Sequence, residues 1–117
     1  MEMIYQSTRN AGEQVTASEA ILKGLASDGG LFVPNEIPVF SIPFTRMAEM
    51  DYREVAFEVM RLFLTDFTSE ELKHCIDKAY DQKFDVPEIV PLREVDDVHY
   101  LELFHGATIA FKDMALS

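Results

Sequence analysis

The sequence predicts an α+β domain, a small helical body carrying a short β-sheet. Three observations lead there. Helix-capping signatures precede apolar stripes of helical period at three places. Short runs rich in β-branched and aromatic residues lie at the two flanks. Glycine and proline punctuation separates these segments without splitting the chain in two. At 117 residues, 48% of them apolar and including nine Phe and four Tyr, the chain is the size of one domain and able to close a core. Residues 1–117 are therefore read as a single domain.

Taken in order, Ile4 to Ser7 reads as a first short strand. Thr16-Ala17-Ser18-Glu19 fits a capping box and opens a helix through Ala20, Ile21, Leu22 and Leu25, with Gly24 near its end. Asp28-Gly29-Gly30 marks a tight turn, and Leu31 to Val33 follows as a strand. Prolines at 34, 38 and 43 hold the next segment extended, because residues before proline avoid the helical region. Asp51-Tyr52-Arg53-Glu54 caps a second helix whose stripe is Val55, Ala56, Val59, Met60 and Phe63. Thr68-Ser69-Glu70-Glu71 caps a third, with Phe67 and Leu72 as a hydrophobic staple and a stripe of Leu72, Cys75, Ile76, Ala79 and Tyr80. Val86 to Pro91 is predicted to be another extended connector. Leu92–Val95 pairs with His99–Phe104 across Asp96-Asp97. Thr108 is expected to cap a last helix over residues 109–117, which stops after about two turns with no glycine, the pattern of a chain cut from something longer.

Charge and cysteine content narrow the function classes. Ten Lys and Arg stand against 21 Asp and Glu, a net charge of −11, which repels phosphate backbones and anionic lipid surfaces. Neither a nucleic-acid nor a membrane partner is expected. The single cysteine, Cys75, excludes an intramolecular disulfide framework and a cysteine-based zinc cluster. No apolar run has the length of a transmembrane helix, and the opening residues Met1 to Tyr5 lack the basic and apolar regions of a signal peptide. These features suggest a soluble, acidic, cytoplasmic protein.

One side chain stands out for chemistry. Lys112 lies between Ile109-Ala110-Phe111 and Met114-Ala115-Leu116, early in the expected helix. Burial and a helix N-terminus both disfavour an ammonium, and a neutral lysine amine is the nucleophile that forms Schiff bases with aldehydes such as pyridoxal phosphate. The plainer reading is a surface lysine paired with Asp113 or lying over its own stem. His105 ends the last strand, either facing a ligand or bonded to backbone in a turn. His74 and His99 have no metal-site spacing, and Cys75 reads as a small buried hydrophobe. Asp28-Gly29-Gly30, with no basic residue close in sequence, reads as a turn rather than an anion site. The residues by themselves name no reaction.

Two long motifs add one. Tyr5-Gln6-Ser7-Thr8-Arg9 followed by Ala20 through Pro34 (AILKGLASDGGLFVP) resembles the opening of the threonine synthase family, and Leu101 through Asp113 (LELFHGATIAFKD) resembles its cofactor-lysine motif. Tyr52-Arg53-Glu54-Val55-Ala56 falls where that family has a helix, so the resemblance spans the whole chain in order. It implies the N-terminal domain of a fold-type II pyridoxal-phosphate enzyme that converts O-phospho-L-homoserine and water to L-threonine and phosphate. It also implies that Lys112 carries the cofactor as a Schiff base and moves protons, flanked and oriented by Phe111 and Asp113, with Thr108 as a helix cap. Ala107 stands where the family usually has Pro, and Asn10 where it has Gly. Asn10 tolerates the left-handed backbone of a turn glycine.

In that family the phosphate-cradling loop and most substrate contacts follow the lysine. The resemblance therefore implies that residues 1–117 are inactive alone and that their partner is the remainder of their own chain. Two alternatives stay open: a related phospho-lyase that releases a keto acid from the same substrate, and a free-standing, non-catalytic domain.

Overall fold

The computed structural model of the chain describes residues 2–116. Its order is β1 (Tyr5–Ser7), β2 (Gln14–Val15), α1 (Ala17–Lys23), β3 (Phe32–Pro34), α2 (Phe44–Met47), α3 (Tyr52–Phe63), α4 (Ser69–Ala79), β4 (Leu92–Val95), β5 (Val98–Leu101) and α5 (Asp113–Leu116). The expected mixture of helices with a little sheet is what forms.

Strands β1 to β3 make an antiparallel sheet in the order β2-β1-β3, with Gln6 opposite both Gln14 and Val33. The two-residue β2 has too little pattern to be read from sequence. Asn10, in the turn before it, does not adopt a left-handed backbone. Its side chain instead accepts a bond from the Gly12 amide at 2.9 Å, so an Asx turn does the work foreseen for a glycine-like residue. At the Asp28 turn Gly29 has φ +78°, and a Cβ on Gly30 would lie 2.2 Å from the Ser7 hydroxyl. The fold brings Arg9 to this turn, donating to the Asp28 carbonyl at 3.0 Å. The Asp28 carboxylate takes bonds from Ser7 (2.7 Å) and the Gly30 amide (2.9 Å), so the turn closes on itself.

All three capping boxes form, with Thr16, Asp51 and Thr68 as caps and Glu19, Glu54 and Glu71 bonding back. Helices α3 and α4 pack side by side, and Arg53 Nε donates to the Tyr80 carbonyl at 2.7 Å. The core cluster is Ile76, Tyr80, Phe84 and Ile89, with α3 residues Tyr52, Ala56 and Met60 against it. Tyr52 meets the Tyr80 ring edge-on at 4.8 Å, and burial together with that neighbour pushes its phenol up to about 12. The sheet is fastened to this body by the Tyr5 hydroxyl on the Phe63 carbonyl (3.0 Å), and α1 by Ser18 on Asp66.

Two sequence expectations are corrected here. Cys75 is exposed, not buried. The inward stripe of α4 is Leu72, Ile76 and Tyr80, and Cys75 sits about 100° round the helix from Ile76, facing out. Val86 to Pro91 is not extended. The Ile89 amide bonds the Val86 carbonyl at 3.2 Å, and Ile89 takes φ +62°. Burying the Ile89 side chain, 3% exposed, draws the chain round, and Pro87 is compatible because its φ suits the second position of a turn.

The hairpin of β4 and β5 forms about the expected loop, but β5 runs Val98–Leu101 rather than His99–Phe104, so His105 lies four residues past the strand instead of at its end. Asp96 (φ +48°) and Asp97 (φ +65°) both take the left-handed backbone that a two-residue type I′ loop requires.

Candidate functional site

After β5 the chain turns back across the end of the helical body, and His105 is clamped as it does so. Its Nδ1 lies 2.5 Å from an Asp85 carboxylate oxygen and its Nε2 lies 2.7 Å from a Glu102 carboxylate oxygen. The backbone joins in, because the Asp85 amide donates to the His105 carbonyl at 3.0 Å. Arg93 Nε stands 3.7 Å from the same Glu102 oxygen. The imidazole is largely covered, its side chain 10% exposed, and stacks against Phe104 at 4.5 Å. Only a doubly protonated ring donates from both nitrogens. The bonds to Glu102 and then Asp85 accordingly raise its pKa above the ordinary histidine value.

The next residue, Gly106, is where the loop presses on Asp113. A Cβ on Gly106 would lie 2.5 Å from both Cβ and a carboxylate oxygen of Asp113. Buried Asp113 reaches back five residues, accepting from the Thr108 hydroxyl at 2.5 Å and the Thr108 amide at 2.8 Å. Thr108's hydroxyl, foremost, and the surrounding amides hold this carboxyl below its usual range. Two turns follow in succession, closed by the Ile109 amide on the Gly106 carbonyl and the Asp113 amide on the Ala110 carbonyl, both 3.1 Å. The Tyr80 hydroxyl then docks α5 by donating to the Met114 carbonyl at 3.0 Å.

This geometry corrects the last predicted helix. It does not begin at Ile109, which has φ +63°, a conformation that costs a β-branched residue about 1–3 kcal/mol. Helix starts only at Asp113, and Ser117, its expected end, lies outside the described residues. Thr108 caps nothing; it is the donor, and Asp113 the acceptor, across the loop.

Lys112 is exposed at the crest of this loop, immediately before α5. Its apolar neighbours do not bury it, since Phe111 is itself 65% exposed. Nor does it pair with Asp113, whose carboxylate is turned inward to Thr108. A lysine that bonds an aldehyde must be reachable and must hang from a backbone that holds still. Lys112 meets both conditions, the first through its exposure and the second through the Gly106–Thr108–Asp113 ties. The residues here therefore fit the aldehyde end of a pyridoxal cofactor. Of the three sequence-named residues, Lys112 and Phe111 are exposed, while Asp113 is buried and bonded to Thr108.

Sequence reasoning missed Asp85 and Glu102. Glu102 precedes His105 by three residues, and that short spacing is the one local signal that could have paired them. Asp85 is twenty residues away, and nothing local pointed to it.

Comparisons with known proteins follow the same lines. A family model described as "Threonine synthase N terminus" matches residues 4–80. Threonine synthase of Schizosaccharomyces pombe is 42% identical over 119 residues, covering 98% of this chain and 23% of that protein. The crystal structure of threonine synthase from yeast superposes with a TM-score of 0.86 at 38% identity, covering 97% of this chain and 24% of that one. The structure of pyridoxal-phosphate-bound threonine synthase from Brucella melitensis gives 0.88 at 37% identity, covering 97% and 25%. This chain thus spans about a quarter of the length of the relatives it matches.

Proposed function

The chain belongs to the family described as the threonine synthase N terminus, and from that premise we propose that it supplies the cofactor lysine of a pyridoxal-phosphate-dependent lyase. The reaction proposed for the full-length protein is conversion of O-phospho-L-homoserine and water to L-threonine and phosphate, in the cytoplasm. The observation that carries the reading is the exposed Lys112, on a loop held from behind by Gly106, Thr108 and Asp113.

Pyridoxal phosphate, when bound, supplies an electron sink for loss of phosphate and addition of water. What this chain contributes is position and a proton carrier. Lys112 Nζ is the group that would hold the aldehyde, and the same nitrogen is assigned to take and return protons. Asp113 acts through Thr108 as a positioning residue, fixing the backbone from which Lys112 projects. Phe111, exposed and next to that lysine in sequence, is assigned as an apolar surface for the cofactor. The remaining contacts, to the cofactor phosphate and the substrate, are assigned to the rest of the full-length protein, so residues 1–117 alone are expected to show no turnover.

Borohydride reduction of the full-length protein followed by peptide mapping tests the assignment. Reduced pyridoxyl is expected on Lys112, and Lys112→Ala is expected to lower turnover by about 10³-fold or more. Label on a different lysine would overturn the site. Formation of a keto acid instead of L-threonine would keep the site and replace the reaction.

A further inference from the structure

We propose that His105 is the positioning residue of the lysine loop: its ring, bridging Asp85 and Glu102, locks the backbone from which Gly106 and Asp113 set the place of Lys112. The proposal rests on the reading of Lys112 given above.

The links are contiguous. His105 is held at both ring nitrogens and at its carbonyl, which receives the Asp85 amide. Gly106, the next residue, touches Asp113 so closely that no side chain fits between them. Asp113 in turn closes the loop through both Thr108 donors. A shift of the 105 backbone is therefore felt at Asp113, and Lys112 precedes Asp113 directly. Three segments meet at this one ring: the connector after α4 through Asp85, the exit of β5 through Glu102, and the lysine loop itself. Holding both carboxylates at once needs the doubly protonated ring, because a neutral imidazole has a single N–H.

Loss of the ring proton consequently releases one arm. Asp85 is the arm to go, being 74% exposed and readily solvated, whereas Glu102 is 23% exposed and keeps Arg93 beside it. The groups facing the ring are thus Asp85 from the connector, Glu102 after β5 and, behind Glu102, Arg93 of β4.

The test uses the full-length protein with histidine ring carbons labelled for NMR, and hydrogen exchange of the peptide spanning residues 106–113 corrected for the intrinsic pH dependence of exchange. In the wild type, protection of the loop is expected to fall as pH rises, with the same midpoint as the His105 titration. Asp85→Asn, at an exposed position that leaves the fold intact, is expected to move both midpoints together to lower pH. His105→Gln is expected to exchange the loop amides about tenfold faster at acidic pH, the loss of one charge-assisted hydrogen bond, and to abolish the midpoint. The borohydride label is mapped on the same preparations. Label on Lys112 with loop protection flat across the His105 titration would overturn the clamp while sparing the cofactor lysine. Label absent from Lys112 would remove the premise, and the proposal with it.

Discussion

At position 106 the backbone passes so near Asp113 that a methyl group would occupy space already filled by its Cβ and carboxylate. Gly106→Ala is expected to destabilise the chain by about 2 kcal/mol in urea titration, the size of a typical overpacking effect. Loss within 0.3 kcal/mol or so of zero would mean that the loop shifts freely, against the ties described. His105 predicts a pH dependence of definite sign. Its folded pKa is raised, so its contribution is fully present below the unfolded value of about 6.5 and is lost as pH rises through the folded value. Urea titrations across pH should show the wild type exceeding His105→Gln most on the acid side, the gap narrowing toward alkaline pH. Asp113 has the opposite sign. Its depressed pKa protects the loop above the ordinary carboxylate range and is lost only as pH falls through the folded value. Sequence alone pointed to Lys112, because a lysine amid apolar residues inside a long motif is conspicuous. Its exposure agrees with the plainer reading of a surface lysine, whereas the loop that carries it was not legible, because Ile109 takes a left-handed backbone and the expected helix does not begin there.

Among the elements, those with local signals were legible and those made by tertiary contacts were not. The three helices with capping boxes and the hairpin around Asp96-Asp97 each carry their instructions within a few residues. Strand β2 and helix α2, two and four residues long, are too short to show a pattern; β2 exists by pairing with β1, and α2 is a single turn after Pro43. The connector at 86–91 turned because the core took Ile89, an outcome fixed by packing against Tyr80 and Phe84. Helix α4 allows a sharp comparison. Ile76→Ala removes a side chain 3% exposed in the core and is expected to cost about 3 kcal/mol, whereas Cys75→Ala one position away should stay within about 0.5 kcal/mol. Thr68→Ala, which dismantles the cap, is expected to fall between them at about 1 kcal/mol. Thermal or urea unfolding of the three variants side by side would reveal a misplaced helix face if the first two costs came out equal.

For the molecule as a whole, the informative feature is how much apolar surface stays uncovered. Leu92, Val95, Val98, Tyr100 and Leu101 of the hairpin are all exposed, as are Leu22 on α1 and Phe44 on α2. A two-stranded ribbon buries neither face by itself, and its cross-strand pairs Leu92–Leu101 and Val95–Val98 stabilise it by only a few tenths to about 1 kcal/mol each. Placing lysines at both Val98 and Leu101 should therefore cost the 117-residue chain less than about 2 kcal/mol. It should also reduce self-association in sedimentation velocity, since contiguous exposed apolar patches drive aggregation. The relatives are about four times as long as this chain. If the remainder of a full-length protein packs on the ribbon, the same two lysines lose their hydration there, and the cost should rise well above that seen in the short chain. Equal costs in the two proteins would show that the hairpin stays in water in both and that the remainder of the full-length protein packs elsewhere.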